Sequence, residues 1–200
     1  INDTTMTHTW KDSYPYNSIS IYALHPLYAD LKQLGTLKNK RKMGEFNRRQ
    51  QALNALEVMD YEAVNQCKWE YFRLIFKQEG EAVLASDAFK QFFESNREWL
   101  QPYAAFSYLR DVYKTPNFTE WPEQSVYNAA EIETLCQPTS TIYPDIAIYY
   151  YIQFNLHLQL LDATEHARKQ GVVLKGDIPI GISRTSVEAW KEPHYFNMNG

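Results

Sequence analysis

The sequence predicts a mostly α-helical protein that closes on one helix–strand unit of a parallel sheet. Three observations carry this. Aromatic and apolar residues recur at the 3.6-residue period through 61–78 and 86–113. A long apolar run starts at Pro144 and ends near Lys169, just before Gly171. Val172, Val173 and Leu174 follow at once, β-prone and suited to burial on both faces of a sheet.

Taken in order, residues 1–28 read as loop. Asp12, Ser13, Pro15, Asn17 and Ser18 are turn formers, and the stretch ISIYAL (19–24) fits a short strand or a helix start. Residues 29–60 are polar and read as helical. Their basic cluster, Lys38, Lys40, Arg41, Lys42, Arg48 and Arg49, has no interleaved aromatics for base stacking and reads as a solvated helix face. Asp60 is placed to cap a helix over 61–78, whose stripe is Val64, Cys67, Tyr71 and Ile75, widened by Phe72 and Phe76. Ser86 is placed to cap the next, with Phe89, Phe92 and Phe93 on its face. Pro102 is suited to open a third, carrying Tyr103, Phe106, Leu109 and Tyr113. Residues 114–143 hold three prolines and read as connection with a short helix at 124–136. In the run after Pro144, Phe154, Leu156, Leu158 and Leu160 alternate with polar residues as a strand would. The apolar run is too long for a strand, and the helix reading is kept.

The chain has 200 residues, with 30 aromatic rings among them and only 7 Gly. Rings in that number suit a packed helical core, a sugar-binding surface or a protein interface. The net charge of −4 gives no general attraction to nucleic acid, and no run of apolar residues is long enough to span a membrane. The first residues show no secretory pattern, and both ends read as cuts through a longer protein. Cys67 and Cys136 read as reduced thiols of a cytoplasmic protein. No phosphate loop, HExxH, CxxC or GxSxG is present, no His has a partner at metal-ligand spacing, and no cofactor is expected. Asp177 sits just past the end of the expected strand. There it is either a turn residue beside Gly176 or a group at the edge where α/β barrels gather their chemistry.

Three blocks carry a resemblance. They are TWKDSYPYNSISIYALHPLYADL (9–31); MDYEAVNQCKWEYFRLIF (59–76) with FFESNREWLQPYAAFSYLRD (92–111); and the segment 149–199, which contains KGDIPIG. In this order the chain resembles the amylomaltase family, the 4-α-glucanotransferases or disproportionating enzymes of glycoside hydrolase family 77, in the larger branch found in plants and some bacteria. The family fold is a (β/α)₈ barrel with helical insertions. The resemblance therefore implies a mostly α chain made of a helical insertion plus a partial barrel segment. Residues 1–28 would be the loop after barrel strand 2, 29–143 the insertion, and 144–200 a barrel helix, strand 3 and the loop beyond.

The resemblance further implies retaining transfer between α-1,4-glucans, with maltose or malto-oligosaccharides as partners and neither nucleic acid nor membrane involved. In this chemistry one carboxylate attacks the anomeric carbon and a second carboxylic acid protonates the leaving oxygen. The family motifs for both, and for a third Asp, lie beyond Gly200, so no residue here is assigned as nucleophile or general acid. Tyr16 matches the tyrosine that lies flat against the reacting sugar. Ser13 matches a hydroxyl of the same region, with Asp12 beside it, and Tyr14 is one residue more than short-form members carry. Asp177 matches a strand-end acid that supports the catalytic groups, and Trp190 matches a packing residue of the following loop. A different class of function, a non-catalytic helical carbohydrate-binding or interaction module, is the alternative.

Overall fold

The computed structural model describes residues 2–177 and 181–198. Six α-helices run through them: α1 (Lys40–Asn54), α2 (Tyr61–Ala85), α3 (Asp87–Tyr113), α4 (Ala129–Leu135), α5 (Tyr143–Lys169) and α6 (Val187–Lys191). Short 3-10 turns punctuate the loops.

Helix α5 is the axis of the packing. Residues 146–154 are buried on every side, so successive tyrosines, about 100° apart on a helix, each meet a different neighbour. Tyr149 meets Trp69 of α2 at 5.5 Å between ring centroids and Tyr103 of α3 at 6.2 Å. Tyr150 meets Phe93 of α3 at 5.1 Å, and Tyr151 meets Phe76 of α2 at 5.4 Å. Phe154 closes the layer against Phe89 and Phe92. Each ring buried this way is worth roughly 1.5–3 kcal/mol relative to exposure. The aromatic excess is thus spent mainly on the core, as the helical stripes predict.

The helix ends follow the expected caps. Asp60 Oδ1 accepts from the Ala63 N–H at 2.9 Å, and Ser86 Oγ accepts from the Phe89 N–H at 3.2 Å. α5 ends as Gly171 requires: at φ +72 it lets the Val172 N–H reach the Ala167 carbonyl (2.9 Å) and its own N–H reach that of Arg168 (3.1 Å). Cys67 and Cys136 are both free thiols. No helix of the described residues is long and apolar enough to cross a membrane.

Several expectations need correction. Pro102 opens no helix; α3 runs unbroken from Asp87 to Tyr113 with Pro102 inside it. The proline forfeits one backbone hydrogen bond, but Leu100, Tyr103, Ala104, Ala105 and Phe106 around it are fully buried, and that packing outweighs the lost bond. Residues 29–60 are not one helix: a 3-10 turn, Leu31–Leu34, precedes α1, and 55–60 are loop. The 19–24 stretch contributes only an isolated bridge, Asn2 to Leu24. The helix expected at 124–136 shortens to α4.

The barrel strand expected after Gly171 is absent among the described residues. Residues 172–177 form no strand, and Val173 is 91% exposed. A β-strand exists only through its neighbours' hydrogen bonds, and among the described residues 172–177 pair with no other segment. Ile178, Pro179 and Ile180 of the KGDIPIG motif lie outside the described residues.

Candidate functional site

Residues 2–25 fold into a loop pinned across α2, α3 and α5 by buried polar groups. Asp3 is the first pin. Its Oδ1 accepts from the backbone N–H (2.9 Å) and hydroxyl (2.6 Å) of Thr5, and its Oδ2 accepts from the Tyr103 hydroxyl at 2.7 Å. Gln153 of α5 is the second, accepting from the Leu24 N–H at 2.9 Å and donating to its carbonyl at 2.7 Å. The Val187 N–H donates to the Ile19 carbonyl at 2.8 Å, and Glu188 Oε1 accepts from the Ser20 hydroxyl at 2.8 Å, which ties α6 to the loop.

Asp12 organises the next stretch. Only 3% exposed, its carboxylate accepts from the backbone N–H groups of Thr7 (3.1 Å) and His8 (2.6 Å) and from the Thr7 hydroxyl (3.0 Å). The Thr4 hydroxyl donates to its carbonyl. His8 sits in the left-handed region (φ 60), which the carboxylate's hold on its N–H helps to maintain. From this anchor the 3-10 turn Trp10–Ser13 leads outward. Ser13 is exposed, Tyr14 is 60% exposed and Tyr16 74%, and the two rings meet edge to face at 5.7 Å. The loop therefore presents a hydroxyl and two phenol rings to solvent from a fixed base. Flat aromatic faces with a polar tip suit the apolar faces and hydroxyls of a sugar.

The charged groups beneath it are fully engaged. Arg110 of α3, buried, donates from Nη1 to the Thr5 carbonyl at 2.5 Å and from Nε to Asp111 Oδ1 at 3.0 Å. His8 Nε2 lies 2.8 Å from Asp111 Oδ1, and the Tyr149 hydroxyl donates to Asp111 Oδ2 at 2.7 Å. Burial opposes the Asp111 charge, but Arg110 and the His8 hydrogen bond outweigh it and hold the carboxyl far below the usual carboxylate range. His25, also buried, accepts at Nδ1 from the Leu27 N–H (3.1 Å), so its neutral ring carries the proton on Nε2 and donates to the Tyr61 hydroxyl at 2.8 Å. Burial lowers the pKa of His25 more than Asp3 and Asp12 raise it.

The expected site residues therefore divide. Ser13, Tyr14 and Tyr16 share one exposed loop. Asp12 faces inward and holds that loop's base, with its oxygens already occupied. Asp177 is exposed, and no hydrogen bond or ion pair joins it to the loop among the described residues. Trp190 is core, packed on Tyr127, Trp121 and Phe106, its Nε1 donating to the Gln124 carbonyl at 2.8 Å. Sequence reasoning missed Asp3, Arg110 and Asp111. Only the run of polar residues in NDTTMTH hints at a pinned segment, because the partners lie a hundred residues away. Among the described residues no cluster of His, Cys, Asp or Glu is arranged to hold a metal.

A family profile described as 4-alpha-glucanotransferase matches the chain over residues 1–200. The chain belongs to this family, glycoside hydrolase family 77. Among its relatives, the 4-alpha-glucanotransferase DPE2 of Oryza sativa subsp. japonica is 42% identical over 199 residues, covering 100% of this chain and 21% of the rice protein. The 4-alpha-glucanotransferase of Chlamydia pneumoniae is 28% identical over 193 residues, covering 96% of this chain and 36% of the bacterial one. That of Thermus thermophilus is 25% identical, covering 92% and 36%. The chain thus corresponds to between a fifth and just over a third of a family 77 protein.

Proposed function

We propose that this chain is the substrate-positioning part of a 4-α-glucanotransferase. The complete protein moves glucosyl or glucan units between α-1,4-glucans, with maltose or malto-oligosaccharides as donors. The reaction is a retaining double displacement: a carboxylate attacks the anomeric carbon, a carboxylic acid protonates the departing oxygen, and a glucan hydroxyl then takes the sugar in place of water. Both carboxyl groups come from outside this chain. Tyr16 supplies a flat ring against the sugar at the reacting position, Ser13 and Tyr14 border it, and Asp12 keeps the loop in place from below.

In this reading residues 172–174 become barrel strand 3 once neighbouring strands are there to pair with them, and Asp177 then stands at the strand's C-terminal edge, where it orients the catalytic groups. Residues 1–28 form the substrate loop, 29–143 the helical insertion and 144–200 the return to the barrel, with α5 shared by bundle and barrel. The free thiols Cys67 and Cys136 fit a cytoplasmic setting. The observation that carries the proposal is the family match across the whole chain, with Tyr16 paired edge to face with Tyr14 on an exposed loop. Incubating the complete protein with maltose tests it: free glucose and longer glucans should appear together. Release of neither would end the proposal and leave a binding module.

A further inference from the structure

The exposed stretch 13–17 stands on two roots. Asp12 holds the first. The second is the segment 18–20, where Ser18, Ile19 and Ser20 are all buried. The Ile19 N–H donates to the Asp3 carbonyl at 2.8 Å, and the Ile19 carbonyl accepts from the Val187 N–H at 2.8 Å. Beside that bond Glu188 Oε1 accepts twice, from the Ser20 hydroxyl at 2.8 Å and from the Ile21 N–H at 3.2 Å. Helix α6 thus grips the second root, and Glu188 reaches back 168 positions to do so. The helix is itself fixed in the core by Ala189 and Trp190, the latter packed on Phe106 of α3.

A glutamate is poorly suited to this place if packing is its whole task. Its donors are neutral groups, its Oε2 is buried with no hydrogen-bond partner among the described residues, and burial raises its pKa more than the hydrogen bonds lower it. A buried carboxylate held without a cation works against stability, and an apolar side chain would fill the same space more favourably. An acceptor, however, fixes the directions of the Ser20 and Ile21 donors, and so the path by which the chain leaves Tyr16. Because α6 follows Asp177 in the chain, the same contact ties the Tyr16 loop to the segment beyond Asp177. We propose that Glu188 is a positioning residue for glucan transfer: through Ser20 and Ile21 it holds the second root of the loop, and with it the Tyr16 ring, in register with that segment. The inference rests on the proposed transfer reaction and adds to it a residue that touches no sugar.

Maltose kinetics of the complete protein test it, read in two backgrounds, with Tyr16 present and with Tyr16→Ala. With Tyr16 present, Glu188→Ala should lower kcat/KM at least about tenfold in a protein that is folded by circular dichroism, as misplaced substrate-positioning groups do. In the Tyr16→Ala background the same change should alter kcat/KM less than about twofold, because the ring that Glu188 positions is gone. General damage to the fold would lower both backgrounds alike. Glu188→Gln keeps the accepting oxygen and should stay within about threefold of the unaltered protein. Should Glu188→Ala fail to fold, Ser20→Ala breaks the same bond from the other side and must show the same dependence on Tyr16. Equal losses in the two backgrounds, no loss in the variant that folds, or a loss in Glu188→Gln as large as in Glu188→Ala would each overturn the assignment. Absence of any transfer by the unaltered protein is seen before a variant is made; it would end the transfer reading itself, and the assignment with it.

Discussion

The Asp12 carboxylate closes back on the backbone N–H of His8 at 2.6 Å, across a turn whose left-handed residue is that same histidine. One buried side chain thereby sets the starting geometry of the loop that carries Ser13, Tyr14 and Tyr16. Asp12 is a sugar-contact candidate by resemblance, but in the fold its carboxylate is spent on Thr7 and His8.

Replacing Asp12 with Ala should cost about 2–3 kcal/mol of stability, because the Thr7 and His8 N–H groups are left without an acceptor. Urea unfolding of the chain measures this. A loss within 0.5 kcal/mol, the range expected of an ordinary surface position, would show that the loop holds its shape by other means.

Gly80 sits mid-helix in α2, where alanine normally stabilises by about 1 kcal/mol. Here a Cβ would lie 2.5 Å from the Phe76 ring, which packs on Tyr151. Gly80→Ala is expected to destabilise instead, by roughly 1–3 kcal/mol as the ring is displaced. Thermal unfolding gives the sign, and a raised midpoint would contradict the packing described.

His25 carries a pH signature. Its pKa in the fold lies below the unfolded value of 6.5, so the unfolded chain binds the proton first on acidification. Its contribution is intact above pH 6.5 and is lost as pH falls from there toward the folded value, by up to about 1.4 kcal/mol per pH unit. His25→Gln should lower stability at neutral pH and flatten that acid slope. Equal slopes in both proteins would mean that His25 titrates alike folded and unfolded.

How far the sequence carried can be seen element by element. The caps at Asp60, Ser86 and Gly171 were legible because each uses local chemistry. Pro102 misled, since proline is favoured at a helix start and only the packing of residues 100–106 reveals it as interior. The β propensity of Val172–Leu174 expresses itself only with a neighbouring strand, which the described residues do not contain. In the site, the DSYPY motif located the exposed tyrosines, but nothing in it says that Asp12 turns inward. The His8–Asp111 and Asp3–Tyr103 contacts join residues about a hundred positions apart, beyond the reach of any spacing rule.

The most direct measurement is the kinetics of a Tyr16→Ala variant of the complete protein acting on maltose. The ring is 74% exposed, so its removal should leave the melting temperature unchanged. If it lies against the reacting sugar, kcat/KM should fall by about 5- to 150-fold, equivalent to roughly 1–3 kcal/mol of transition-state binding. An unchanged kcat/KM in a normally folded variant would contradict the claim that this loop positions the glucan.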